Sequence, residues 1–179
     1  DAAAAYLRRN YTQALQLWLP LAEQGNGPAQ YNLGAMYENG HGVPRDSAEA
    51  EKWYRLAAGQ GLADAQFTLG VRYENGQGVS QNIAEALKWY RLAADQGFTP
   101  AQYNLGVIYD NANGVRRDLA EAAKWYRSAA EKGLAVAQTN LGLMHEMGRG
   151  VRLDHAEAAM WYQRAADQVV GPDLGRDPG

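Results

Sequence analysis

Few residues in this 179-residue sequence could do chemistry. Histidine occurs three times, at His41, His145 and His155, in different stretches and with no partner at i+4. A metal site needs three or four convergent ligands, and there is no cysteine to supply any. The same absence excludes disulfides and a cysteine nucleophile. No metal or other cofactor is expected. A serine nucleophile would need a base, but no Ser-x-x-Lys occurs. Ser47, Ser80 and Ser128 are followed three residues on by Ala50, Ile83 and Glu131. The Gly-x-Gly stretches, such as Gly76-Gln77-Gly78, are not followed by Lys-Ser/Thr at the spacing of a phosphate loop. The sequence therefore points away from an enzyme.

Bulk properties narrow the partners. The formal net charge is −3 and the pI about 5.6. An acidic chain gains nothing from counterion release on a phosphate backbone, so nucleic acid is not expected. Apolar runs fall well short of the roughly 20 residues that span a bilayer. Hydrophobic residues still make up 46%, enough for a continuous core. The chain starts at Asp1-Ala2 without Met. A removed leader and a trimmed chain would look alike here. A periplasmic or secreted protein is the expectation, with the cytoplasm as the alternative.

The elements that position these residues are repeated. Ala29-Gln30-Tyr31-Asn32-Leu33-Gly34 returns as Ala65-Gln66-Phe67-Thr68-Leu69-Gly70, then from Ala101 and from Ala137, each step being 36 residues. Trp53-Tyr54, Trp89-Tyr90, Trp125-Tyr126 and Trp161-Tyr162 keep the same step. Two blocks in lockstep over four copies define a repeat array.

Each repeat reads as two helices. The first, helix A, spans about Pro28 to Asn39, with Ala29, Leu33 and Tyr37 on one face. Gly34 in its middle costs roughly 1 kcal/mol relative to Ala. Its return at Gly70, Gly106 and Gly142 predicts a neighbour too close for a Cβ. A Gly-rich connector ending in Val43, Val79, Val115 or Val151 follows, the valine pinning the loop to the core. Helix B opens with a reciprocal capping box, Asp46 with Glu49, Asn82 with Glu85, Asp118 with Glu121 and Asp154 with Glu157. Its buried stripe is Ala50, Trp53, Tyr54, Ala57 and Ala58. It stops at Gly61, Gly97 and Gly133. Glu49–Lys52, Glu85–Lys88 and Glu121–Lys124 read as pairs on a solvated outer face.

The ends differ, as terminal repeats do. Ala2 to Arg9 reads as a truncated helix A and Tyr11 to Gln24 as a helix B, which Pro20 should kink or weaken. Val169-Val170 replaces the Gly stop, and Gly171 to Gly179 is expected to be disordered. The division is thus residues 1–26 as an N-terminal capping unit, repeats at about 27–62, 63–98, 99–134 and 135–168, and a tail at 169–179.

These motifs resemble the Sel-1-like repeat family, a branch of the tetratricopeptide-like solenoids, over roughly Gly25 to Gln168. The segment Ala2 to Gln24 looks more like an ordinary tetratricopeptide unit. The resemblance implies an all-α fold, a right-handed α-α superhelix with helices A lining a concave face. It also implies an adaptor that holds protein partners, in bacteria often in envelope, signalling or host-interaction systems. Relatives with disulfides between paired helices differ from this cysteine-free chain. Others labelled β-lactamases differ in that Ser-x-x-Lys is missing here.

By analogy with tetratricopeptide grooves, the inward positions are Tyr31, Ala35, Glu38 and Asn39, then Phe67, Val71, Glu74 and Asn75. Tyr103, Val107, Asp110 and Asn111 follow, and last Thr139, Leu143, Glu146 and Met147. Of these, Tyr31, Glu38, Asn39, Phe67, Glu74, Asn75, Tyr103, Asp110, Asn111 and Glu146 are the candidate contacts. Asn can pair with a peptide backbone in either sense, aromatic rings supply apolar area, and the carboxylates would favour a basic partner. The alternative is that the aromatics pack between repeats, the carboxylates are merely solvated and the asparagines only end their helices. The leading function is a protein- or peptide-binding adaptor, monomeric in itself. The alternatives are a hydrolase of the β-lactamase or cell-wall type and a self-assembly module using Val169 and Val170.

Overall fold

The computed structural model describes residues 1–169. Every regular element among them is an α-helix. In order these are α1 (Ala2–Leu7), α2 (Tyr11–Glu23), α3 (Gly27–Asn39), α4 (Ser47–Gly59), α5 (Ala63–Asn75) and α6 (Ile83–Asp95). Then come α7 (Thr99–Asn111), α8 (Leu119–Glu131), α9 (Ala135–Met147) and α10 (His155–Val169). The expectations for Val170 and for Gly171 to Gly179 lie outside the described residues. The chain forms two compact units, Asp1–Phe98 with α1 to α6, and the part from Thr99 onward with α7 to α10. Within each unit, consecutive helices pack as antiparallel neighbours joined by short connections.

The helix ends follow from local chemistry. Asn26 caps α3 by accepting from the N–H of Ala29 at 2.9 Å, and Pro28 stands in the first turn, where its missing N–H is harmless. At the other end Gly40 takes φ 68°, and its N–H reaches back to the Met36 carbonyl. Only a residue without a Cβ adopts this left-handed turn freely. Pro20 stands near the end of α2 and does not end it; the helix runs on to Glu23. Only the single N–H that proline lacks is lost from the ladder.

The second helices are capped differently from the expected reciprocal box. Asp46 accepts from Ala48 and Glu49 N–H groups at 2.9 and 3.0 Å, as predicted. Its own N–H, however, donates to the Tyr37 carbonyl at 2.9 Å, so Glu49 has nothing to return and pairs with Lys52 instead. Asn82, Asp118 and Asp154 likewise donate to Tyr73, Tyr109 and His145. The connector is thereby tied to the end of the first helix at every repeat.

The core is built from small residues and large rings. Ala29, Leu33 and Met36 of α3 are buried with Ala50, Trp53, Tyr54, Ala57 and Ala58 of α4. A Cβ on Gly34 would lie 2.7 Å from the Tyr54 ring, and the equivalents on Gly70, Gly106 and Gly142 would lie 2.5, 2.5 and 2.7 Å from Tyr90, Tyr126 and Tyr162. The repeated glycine is therefore the seat of the repeated tyrosine. Val43 packs against the first core cluster, as the connector valines should.

A buried glutamine, unpredicted, joins successive pairs. Gln30 donates to the Ala22 carbonyl at 3.0 Å, and Gln60 donates to Gln30 Oε1 at 2.6 Å. Gln66 repeats this on Ala58, with Gln96 behind it, and Gln138 repeats it on Ala130, with Gln168 behind it. A buried amide needs such partners, which accounts for Gln after Ala in these three copies.

Candidate partner-binding faces

In the first unit, α3 and α5 carry the predicted contacts. Tyr31 is half-buried with its ring 5.5 Å from that of Tyr54. Phe67 lies 5.7 Å from Tyr90 and 5.3 Å from Phe98. In the second unit, Tyr103 on α7 lies 5.8 Å from Tyr126. Each aromatic has one side on a core tyrosine and another toward solvent, so packing and partner contact are not exclusive.

The carboxylates are not merely solvated. Glu38 accepts from the Tyr54 hydroxyl at 2.8 Å, Glu74 from Tyr90 at 2.6 Å, and Glu146 from Tyr162 at 2.7 Å. Burial and these carboxylates raise the Tyr54 hydroxyl far above the ordinary range and that of Tyr162 to about 12. Asp110 is one methylene shorter and turns elsewhere, to Arg149 at 2.7 Å and Arg117 at 3.4 Å. Tyr126, raised by burial and by Asp110, is eased by the Asn140 amide and Arg149.

Glu38 has a second partner. Arg72 of α5, 2% exposed, reaches it at 2.5 Å and donates to the Ser47 carbonyl at 3.0 Å. Arg72 occupies the register of Met36, Ile108 and Met144 in the other repeats, all of them buried core residues. This buried arginine is a departure that the apolar pattern did not flag.

The asparagines end their helices at the surface. Asn39, Asn75 and Asn111 are exposed, and the Asn39 amide donates to the Ala35 carbonyl at 2.8 Å. Its Oδ1 stays at the surface. Tyr103, Asp110 and Asn111 share a cleft of ≈ 250 Å³ between α7 and α9, together with Tyr126, Asn140 and Arg149. Glu146, exposed, lies outside that cleft. Asn140 and Arg149 were missed because one precedes the Leu-Gly pair on the next first helix and the other sits in a connector.

Two of the histidines have structural partners. His41 stacks on Tyr11 at 4.3 Å and hydrogen-bonds the Tyr6 hydroxyl at 2.8 Å. His145 lies inside α9, buried, with Arg127 at 3.1 Å from its Nε2; a guanidinium only donates, so Nε2 accepts. His155 opens α10 at the surface. Among the described residues, no group of His, Asp and Glu could hold a metal, and no helix is long and apolar enough to cross a membrane.

Paired 13-residue helices, a glycine seat for a tyrosine and a glutamine clasp define a helix–turn–helix repeat protein. The Sel1 repeat model matches residues 4–26, 27–62, 63–98, 99–134 and 135–169, and the chain belongs to that family, whose members generally serve as protein–protein interaction scaffolds. Among solved structures it is similar to c5321, a protective antigen present in uropathogenic Escherichia coli strains that displays the SLR fold. Identity there is 44% and the TM-score 0.83, over 86% of this chain and 33% of that one. A Sel1 repeat protein from Oxalobacter formigenes shares 38% identity at a TM-score of 0.88, over 93% of this chain and 69% of that one. Helicobacter pylori cysteine rich protein B, at 22% identity and TM-score 0.54 over 72% of this chain and 92% of that one, shares the fold. The chain thus spans about a third of the antigen's length. A comparison with curated proteins gives no match.

Proposed function

We propose that the chain is a non-enzymatic scaffold that holds a protein or peptide partner on the faces of its first helices. The observation that carries this is the combination on α3, α5 and α7: a half-buried aromatic, an exposed asparagine, and a carboxylate fixed by a tyrosine hydroxyl on α3 and α5 and by arginines on α7. Fixed groups lose little entropy on binding, and Asn39, Asn75 and Asn111 offer both donors and acceptors to a peptide backbone. In this reading the repeats at 27–62, 63–98, 99–134 and 135–168 present the face and residues 1–26 cap it.

Charge refines the partner. Arg72 neutralises Glu38, and two arginines surround Asp110. Glu74 and Glu146 keep their charge against neutral tyrosines, so a basic partner would be recognised there. A bacterial envelope or signalling assembly is the setting we favour, in the periplasm or outside the cell rather than the cytoplasm. The likeness to a protective antigen supports this. The scaffold itself acts as a monomer.

The test is a pull-down from a lysate of the source organism, comparing wild type with the Asn39→Ala/Asn75→Ala/Asn111→Ala variant at equal helicity. A partner captured by wild type and lost by the variant supports the reading. A partner retained equally places the site elsewhere.

A further inference from the structure

A different surface of the second unit has its own chemistry. Its two connectors, residues 112–118 and 148–154, carry Arg116, Arg117, Arg149 and Arg152, whereas the Gly-rich connectors of the first unit, residues 40–46 and 76–82, carry only Arg45. The acids beside them are already committed. Asp118 accepts from the Glu121 N–H at 3.0 Å. Asp154 accepts from Ala156 and Glu157 N–H groups, which hold its carboxyl below the usual range. Asp110 is shared between Arg117 and Arg149. Arg116 is exposed and, among the described residues, has no carboxylate in salt-bridge reach, whereas exposed Arg152 acts on Asp154.

Arg116 and Arg117 rim a built groove. It has a volume of ≈ 880 Å³, and Tyr109, Val115, Arg116, Arg117, Asp118, Leu119 and Gly150 line it. The second connector presses on the start of α8 so closely that a Cβ on Gly150 would meet the Leu119 carbonyl at 2.2 Å. The groove therefore has a fixed wall, an apolar floor and a basic rim. Its volume lies within the ~300–1,000 Å³ of ordinary ligand clefts.

We infer that this connector groove binds an acidic peptide segment, its carboxylates meeting Arg116 and Arg117 and its apolar side chains resting on Val115 and Leu119. A longer polyanion such as nucleic acid gains nothing from the apolar floor. The surface is separate from the first-helix faces and does not depend on their role.

The test is fluorescence anisotropy on the full chain with a short labelled peptide of Glu, Leu and Gly. The same peptide with Lys for Glu, and single-stranded DNA, serve as comparisons. The acidic peptide should bind alone of the three, more weakly as salt rises. The Arg116→Ala/Arg117→Ala variant should bind it about tenfold less tightly at unchanged helicity, as loss of complementary rim charge implies. Arg45→Ala in the first unit should leave it unchanged. The Asn39/Asn75/Asn111 variant should bind it like wild type; loss there would move the peptide to the first-helix faces and overturn the inference. So would equal binding by the Lys peptide, tighter binding by DNA, full affinity in the arginine variant, or no binding by wild type.

Discussion

From inside the core of the first unit, Arg72 sets its guanidinium 2.5 Å from the carboxylate of Glu38. The same carboxylate accepts from Tyr54, so one acid on the first-helix face ties two buried groups. A buried ion pair is weak evidence for stability, because two desolvated charges offset their attraction. The other repeats hold Met36, Ile108 and Met144 in this register.

Arg72→Met should therefore leave stability unchanged or raise it by about 1 kcal/mol, as replacements of buried pairs by apolar residues do. Glu38→Ala should lose up to about 3 kcal/mol, because it strands the buried guanidinium, although Glu38 itself still meets water. Urea melts of the two variants check the asymmetry. Equal losses would mean that Arg72 contributes through packing that methionine cannot replace.

The glycine seat gives a second expectation. Ala is favoured over Gly in a helix by about 1 kcal/mol. Gly70→Ala would nevertheless place its Cβ 2.5 Å from the Tyr90 ring. A net loss of about 1–3 kcal/mol is expected from overpacking, and Gly70→Leu should lose more. A thermal melt matching wild type would show that Tyr90 moves aside freely.

Leu69 and Leu105 are fully buried. Leu69→Ala or Leu105→Ala should lose about 2–5 kcal/mol through the cavity each leaves. Chemical denaturation with an unchanged m-value would confirm that only stability has moved.

Alkaline pH should destabilise the fold. Tyr54, Tyr126 and Tyr162 all have raised hydroxyls, Tyr162 at about 12 against an ordinary 10.0. Between those values the unfolded chain has released the proton and the folded chain has not. The unfolded state binds fewer protons, so stability falls as pH rises through this window. Their stabilising contribution is complete below pH 10 and lost above. Ultraviolet titration should show these tyrosines ionising late, together with loss of helicity. Uniform ionisation near 10 with the helices intact would contradict this.

The sequence made some of this visible and hid the rest for physical reasons. The lockstep of Ala29, Leu33, Gly34, Trp53 and Tyr54 revealed the repeat, its core and the close approach at glycine, because burial imprints periodicity. The expected exchange between Asp46 and Glu49 did not form, since the Asp46 N–H finds the Tyr37 carbonyl across the connector. Local spacing cannot show that competitor. The hydroxyl–carboxylate bonds join residues across a connector, yet Glu38 with Tyr54, Glu74 with Tyr90 and Glu146 with Tyr162 recur at one separation, a signal that was readable. Arg72 was not, because a polar residue in an apolar register declares no partner until the fold supplies Glu38.

The central claim is that a partner lies on the faces of the first helices, and site-specific photocrosslinking tests it most directly. A photoreactive residue at Asn75 or at Asn111 should crosslink the partner in a lysate of the source organism. The same residue at Lys88 or Lys124, on the outer faces of the second helices, should not. Crosslinks from Lys88 and Lys124 with none from Asn75 and Asn111 would contradict the account.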